Sequence, residues 1–141
     1  MTKPKQPRGG KIDFTIPDMF PLIESGAKCV TIRKHRKVPL EVGGILKVYL
    51  GNRYQGGQRY LGTAEILSLQ DIIIHFNDSE KSCYVKIDDE FIKLSDNELR
   101  ELFIKDGFNS LYSFLDFHKP IVTQVPIVKQ LITFGNQSWL K

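Results

Sequence analysis

Residues 25–33 read Ser25-Gly26-Ala27-Lys28-Cys29-Val30-Thr31-Ile32-Arg33, and the fold turns on how this stretch is taken. Gly26 closes a short apolar run that opens with Pro17-Asp18 and carries Met19, Phe20, Leu22 and Ile23. A glycine there suits the left-handed residue that ends a helix. Pro21 falls in the first turn of that helix, where a missing N–H costs little. Beyond it, Cys29 to Arg33 is β-branched and alternating, which predicts a strand. With Val30 and Ile32 facing a core, Cys29, Thr31 and Arg33 share the opposite face, a hydroxyl beside a guanidinium. Arg33 can grip a phosphate or a base edge with its planar fork. Thr31 can exchange hydrogen bonds, or act as a nucleophile beside a base. Strict alternation turns Lys28 inward unless the strand begins after it, and a buried lysine loses proton affinity and can serve as a base. The plainer reading of all these residues is a solvated strand edge.

Outward from this stretch the chain keeps changing period. Lys11 to Ile16 alternates and predicts a first strand, and Lys34 to Lys37 makes a basic loop after the second. Ile45 to Leu50 gives a third strand, entered through Gly43-Gly44, with a polar loop from Asn52 to Arg59 beyond it. Tyr60 to Leu69, Ile72 to Ile74 and Tyr84 to Ile87 read as further strands. Ser95-Asp96-Asn97-Glu98 then fits a capping box, with Leu99, Leu102 and Phe103 at helical spacing until Gly107. A second short helix is predicted over Ser110 to His118, ended by Pro120, and Ile127 to Phe134 reads as a closing strand. Strands with a few short helices in irregular order predict an α+β or β-barrel domain. The expected organisation is a flexible basic tail over 1–10, one domain over 11–135 and a C-terminal tail over 136–141.

Bulk properties narrow the function classes. A chain of 141 residues, 41% hydrophobic and 26% charged, suits one globular domain and not a disordered chain. Its two cysteines, Cys29 and Cys83, are far apart and form no metal-ligand spacing, so no metal, cofactor or disulfide framework is expected. No apolar segment follows the basic N-terminus, so a secretory leader and a membrane partner are not expected, and the chain reads as cytoplasmic. Net charge is +4, but Lys28, Arg33, Lys34, Arg36 and Lys37 fall together with no acid among them. Such a strip attracts polyanions, although a solvated hairpin is the bland alternative. Tyr49, Tyr54 and Tyr60 flank the loop near the strip and can either stack a base or fill the core. His35, His75 and His118 show no ligand spacing and read as incidental, and Trp139 is either an anchor or an exposed residue. Oligomeric state is not legible.

The pattern G-x-K-x-x-T-x-R appears as Gly26, Lys28, Thr31 and Arg33, and leads to Val42, Gly43, Leu46, Val48 and Tyr49. Together with Leu61-Gly62-Thr63-Ala64-Glu65-Ile66 and the run from Glu101 to Ser110 followed by Phe114 and Phe117, it resembles the ASCH family over roughly Phe14 to Phe134. The resemblance implies a PUA-like mixed β-barrel with a few short helices, and RNA or a modified nucleoside as partner. Some members resemble amidohydrolases of N4-acetylcytidine that use a lysine, a threonine and a glutamate; others are ribonuclease-like. Carried over, these are Lys28, Thr31 and Glu90, with Asp88 and Asp89 close enough to compete for the acid. Arg33, Lys34, Arg36, Tyr49 and Tyr54 would bind substrate. In that scheme Thr31 attacks the acyl carbon, Lys28 takes its proton, and Glu90 orients Lys28 or activates the water that clears the acyl group. The family usually has Gly-Asp where this chain has Gly43-Gly44. A non-catalytic RNA-binding module and a protein-interaction domain that has lost the site remain alternatives.

Overall fold

The computed structural model describes residues 6–52, 57–76, 79–118 and 128–140, apart from the side chain of Asn52. In chain order these form β1 (Gly10–Phe14), a 3-10 turn (Pro17–Met19), α1 (Phe20–Ser25), β2 (Val30–Lys34), β3 (Ile45–Asn52) and β4 (Gly57–Phe76). There follow β5 (Lys81–Ile87), β6 (Glu90–Lys93), α2 (Asp96–Lys105), α3 (Leu111–His118) and β7 (Val128–Trp139). The architecture is mixed α+β: a seven-stranded mixed sheet with three short α-helices. Its order is β1-β3-β4-β5-β6, with β7 pairing both β2 and β4. Among the described residues no closure into a barrel is detected, so the barrel predicted from the sequence is reduced to this sheet.

The chain groups into two compact units, one of residues 1–29, 36–69 and 133–141, the other of 30–35 and 70–132. In the first, β1 runs parallel to β3 with Ile12 opposite Val48, and β3 runs antiparallel to β4 with a register shift at Val48/Tyr49. Ile12, Ile23, Leu46, Val48 and Ile66 are each at most 2% exposed and make its core. Alternation explains the pattern, since Leu46, Val48 and Leu50 are buried while Ile45 and Lys47 are exposed. In the second unit, β4, β5 and β6 form an antiparallel meander. Ile72, Phe114, Leu115 and Ile132 are each fully buried there.

Several elements fall where the sequence puts them. Gly26 ends α1 at φ 85°, in the left-handed region, and the capping box at Ser95 and Glu98 is complete in both directions. Others differ. The two strands predicted over 60–69 and 72–74 are one strand of 20 residues, because the polar Gln70 and Asp71 continue the extended backbone. β6 has no counterpart in the sequence pattern. β7 runs on to Trp139, so 136–139 is strand where a tail was expected: Leu140 N–H donates to Leu61 O at 2.7 Å and Asn136 to Glu65 at 3.2 Å. At the other end, the expected flexible tail is tied down from Arg8. Its N–H donates to the Glu41 carboxylate and its carbonyl accepts from Glu41 N–H, each at 2.9 Å. The same pairing accounts for Gly44. A Cβ there would meet Arg8 O at 2.2 Å, so the aspartate usual in the resembled family has no room.

Candidate functional site

β2 is the strand that carries the predicted chemistry, and it is buried on both sides at its start. Val30, Thr31 and Ile32 are each 5% exposed or less, so alternation gives way to a strand covered on two faces. Thr31, 3% exposed, is one of few buried hydroxyls, and the Nε–H of Arg33 donates to its Oγ1 at 3.0 Å. Positions i and i+2 share a face, so this contact follows directly from strand geometry. It uses one of the five guanidinium donors and leaves the threonine O–H hydrogen to be given to another acceptor. A guanidinium cannot take that proton, because it is never a base in proteins.

Lys28 lies two residues before β2 and is 3% exposed, with its ammonium 5.6 Å from the centroid of the Phe14 ring. Its N–H donates to Leu22 O at 2.9 Å, which fixes the turn out of α1. The strand does begin after Lys28, and the lysine is buried all the same.

The remaining predicted residues are spread more widely. Glu90 opens β6 opposite Ile87 and is exposed, and its carboxylate makes no hydrogen bond or ion pair among the described residues. Asp88 and Asp89 form the turn before it at φ 51° and 67°, conformations that aspartate tolerates better than most residues. Lys34 is exposed. Arg36 donates to the carbonyl of Lys11 at 2.6 Å, which makes it a brace on β1. Tyr49 packs against Tyr60 with ring centroids 5.1 Å apart and has the Lys11 ammonium 4.5 Å over its ring. Tyr54 lies outside the described residues. A shallow groove of about 520 Å³ runs between Pro7, Gly10, Lys11, Gly43, Ile45 and Lys47, and no predicted site residue lines it.

Two residues that the sequence did not single out belong beside β2. Lys129 on β7 is half-buried, donates to His118 O at 2.8 Å, and has its pKa lowered by burial and by the charge of Lys34. The bond from Phe134 N–H to Cys29 O ties β7 to the start of β2, and an antiparallel register through that bond sets Lys129 opposite Lys34. Gln130 then lies opposite Arg33 and projects to the same side. It is 8% exposed, and its amide makes no hydrogen bond among the described residues. The signal available beforehand was a polar Lys129-Gln130 pair inside the strand predicted over Ile127 to Phe134.

The histidines are not incidental. His118 and Asp106 are 4% and 2% exposed and meet at 2.7 Å, with the rings of Phe108, Phe114 and Phe117 edge-on to the imidazole. His35 pairs with Asp71 at 2.8 Å. Trp139 is an anchor, its indole N–H donating to Glu24 O at 3.1 Å. Among the described residues no group of three or more His, Cys, Asp or Glu side chains is placed to hold a metal. Among the described residues no helix is long and apolar enough to cross a membrane.

No protein-family model matches the chain, and comparison with curated proteins and with solved structures finds no similar one.

Proposed function

We propose that this chain is an ASCH-type, PUA-like domain that binds RNA or a modified nucleobase through β2. The observation that carries the reading is the Thr31–Arg33 pair. A hydroxyl 3% exposed and a guanidinium joined at 3.0 Å are held on one strand face, with Lys34 next along the chain. Arginine is suited to this task because its flat fork matches a phosphate or a base edge, and a donor already fixed loses little entropy on binding. The motif Gly26, Lys28, Thr31 and Arg33 supports the same assignment by resemblance.

A hydrolytic reading of the same residues is favoured by one observation, the burial of both Lys28 and Thr31. In that reading Thr31 Oγ forms a bond to the acetyl carbon of N4-acetylcytidine, and its proton passes through a base to the departing cytosine amine. Water then releases acetate from the threonine. The exposed position of Glu90 gives no support to its part in the scheme.

Titration of the protein with short single-stranded RNA at several salt concentrations, alongside incubation with N4-acetylcytidine, tests both readings. Binding that weakens with salt and falls in Arg33→Ala is expected. Deacetylation lost in both Lys28→Ala and Thr31→Ala would establish the hydrolase. Absence of RNA and nucleoside binding would leave a protein-interaction domain.

A further inference from the structure

The hairpin of β5 and β6 ends the sheet at an open edge. Among the described residues β6 pairs with β5 alone, and all of its side chains are exposed. Which backbone groups face outward follows from one bond. Leu94 N–H donates to Cys83 O at 2.9 Å, so positions 94 and 83 form a hydrogen-bonded pair of the antiparallel ladder. Such pairs alternate along a ladder, so Ile92 and Glu90 also turn their backbone groups to β5. Phe91 and Lys93 therefore turn theirs to the open edge, where they have no described partner. The core face is unfinished at the same place. Ile72, Val85 and Ile92 stand in one row across β4, β5 and β6, and their exposures rise from 0% through 5% to 45%.

We propose that β6 pairs antiparallel with β6 of a second copy of this chain, about a two-fold axis at Ile92. Opposed residues share a face of a sheet, so a two-fold pairing must set one residue opposite itself. With Phe91 on the axis the ladder would draw in Asp89, which is held in the turn at φ 67°. With Ile92 on the axis, Phe91 of each copy exchanges backbone bonds with Lys93 of the other, and no outward group of the strand is left over. On the core face the apolar row then runs on through both copies of Ile92. On the other face the order across the sheet becomes Lys86, Phe91, then Lys93 and Tyr84 of the second copy. Each cation lies beside a ring there and no two lysines are opposed, just as Lys86 already stands 6.0 Å from the centre of the Phe91 ring. A foreign peptide would satisfy the backbone but has no reason to continue both rows. Two such short strands bury less than the about 1,000 Å² of a stable interface, so the dimer forms only as concentration rises.

Sedimentation velocity over rising concentrations of the wild-type protein is expected to show an apparent mass that doubles. Lys93→Pro removes an N–H that faces outward, and Ile92→Lys opposes two like charges across the axis; each should keep the chain monomeric. Ile92→Cys falls at a pair without hydrogen bonds, where opposed Cα atoms lie about 4.5 Å apart, so mild oxidation should link it to its own counterpart. Glu90→Cys, about 13 Å from its counterpart in this register, should not link beyond the wild-type level. The cross-link is read in the Ile92→Cys chain itself, so it holds even if Lys93→Pro does not fold. A dimer that persists in both Lys93→Pro and Ile92→Lys, or equal linking of the two cysteine variants, overturns the inference. A monomer at every concentration also overturns it and leaves the edge to an extended peptide of another protein.

Discussion

Two buried polar clusters lie within one compact unit of this molecule, and they are built on opposite plans. At α2–α3, Asp106 and His118 answer each other at 2.7 Å inside a collar of phenylalanine rings, and Lys129 takes up the His118 carbonyl. On β2–β7, Thr31 is met by Arg33, but the Gln130 amide across from it makes no described bond. The first cluster joins two buried polar groups directly and so serves stability. In the second, the Gln130 amide keeps access to water, so it needs no protein partner. Burial of the residue alone does not tell the two apart; whether its polar atoms meet protein or water does.

The largest effect that follows concerns the closed cluster. Replacing Asp106 by alanine takes a carboxylate away from a buried imidazole 2.7 Å distant, and breaking such a pair costs about 3–5 kcal/mol. Urea unfolding of Asp106→Ala measures it, and a loss below about 1 kcal/mol would place this pair with weak surface bridges. Cys83 is an intermediate case, a fully buried thiol whose pKa burial pushes up to about 12. The folded chain keeps this proton after the unfolded chain has lost it, so stability is intact below pH 9.0 and falls as pH rises from there toward 12. The difference in unfolding free energy between wild type and Cys83→Ala should therefore shrink by about 1.4 kcal/mol per pH unit in that window.

Smaller effects sharpen the contrast. Ser95→Ala removes one half of a capping box on α2 and should cost about 1 kcal/mol, again by urea unfolding. Gln130→Met should change stability least, within about 1 kcal/mol, because no described bond is lost and an apolar group of similar shape replaces a buried amide. A loss as large as that of Asp106→Ala would mean that Gln130 is structural, and the two clusters would then be alike.

How much of this was legible in the sequence follows the range of the forces involved. Gly26, the Ser95–Glu98 box and the shared face of Thr31 and Arg33 are set by neighbours in the chain, and each is where local pattern puts it. Position 71 misled because an acid in mid-strand reads as a break, whereas Asp71 is stabilised by His35. The strand β6 has every residue exposed, so no burial pattern announced it; only its pairing with β5 defines it. The segment Gly135 to Ser138 has the composition of a turn, and Asn136 does adopt φ 47°, yet partners far away in sequence keep it within β7. The part of the candidate site that escaped, Lys129 and Gln130, depends on a strand pairing about a hundred residues from β2. Lys28 was legible as an inward lysine, although its partner ring, Phe14, was not.

Backbone and side-chain amide shifts of the wild-type protein, followed while a short single-stranded RNA is added, test the β2 assignment most directly. The account predicts that the perturbed residues centre on Thr31, Arg33 and Gln130, and that the α2–α3 pair of Asp106 and His118 stays unmoved. Shifts confined to the groove of Lys11 and Lys47, or none anywhere at low salt, would contradict it.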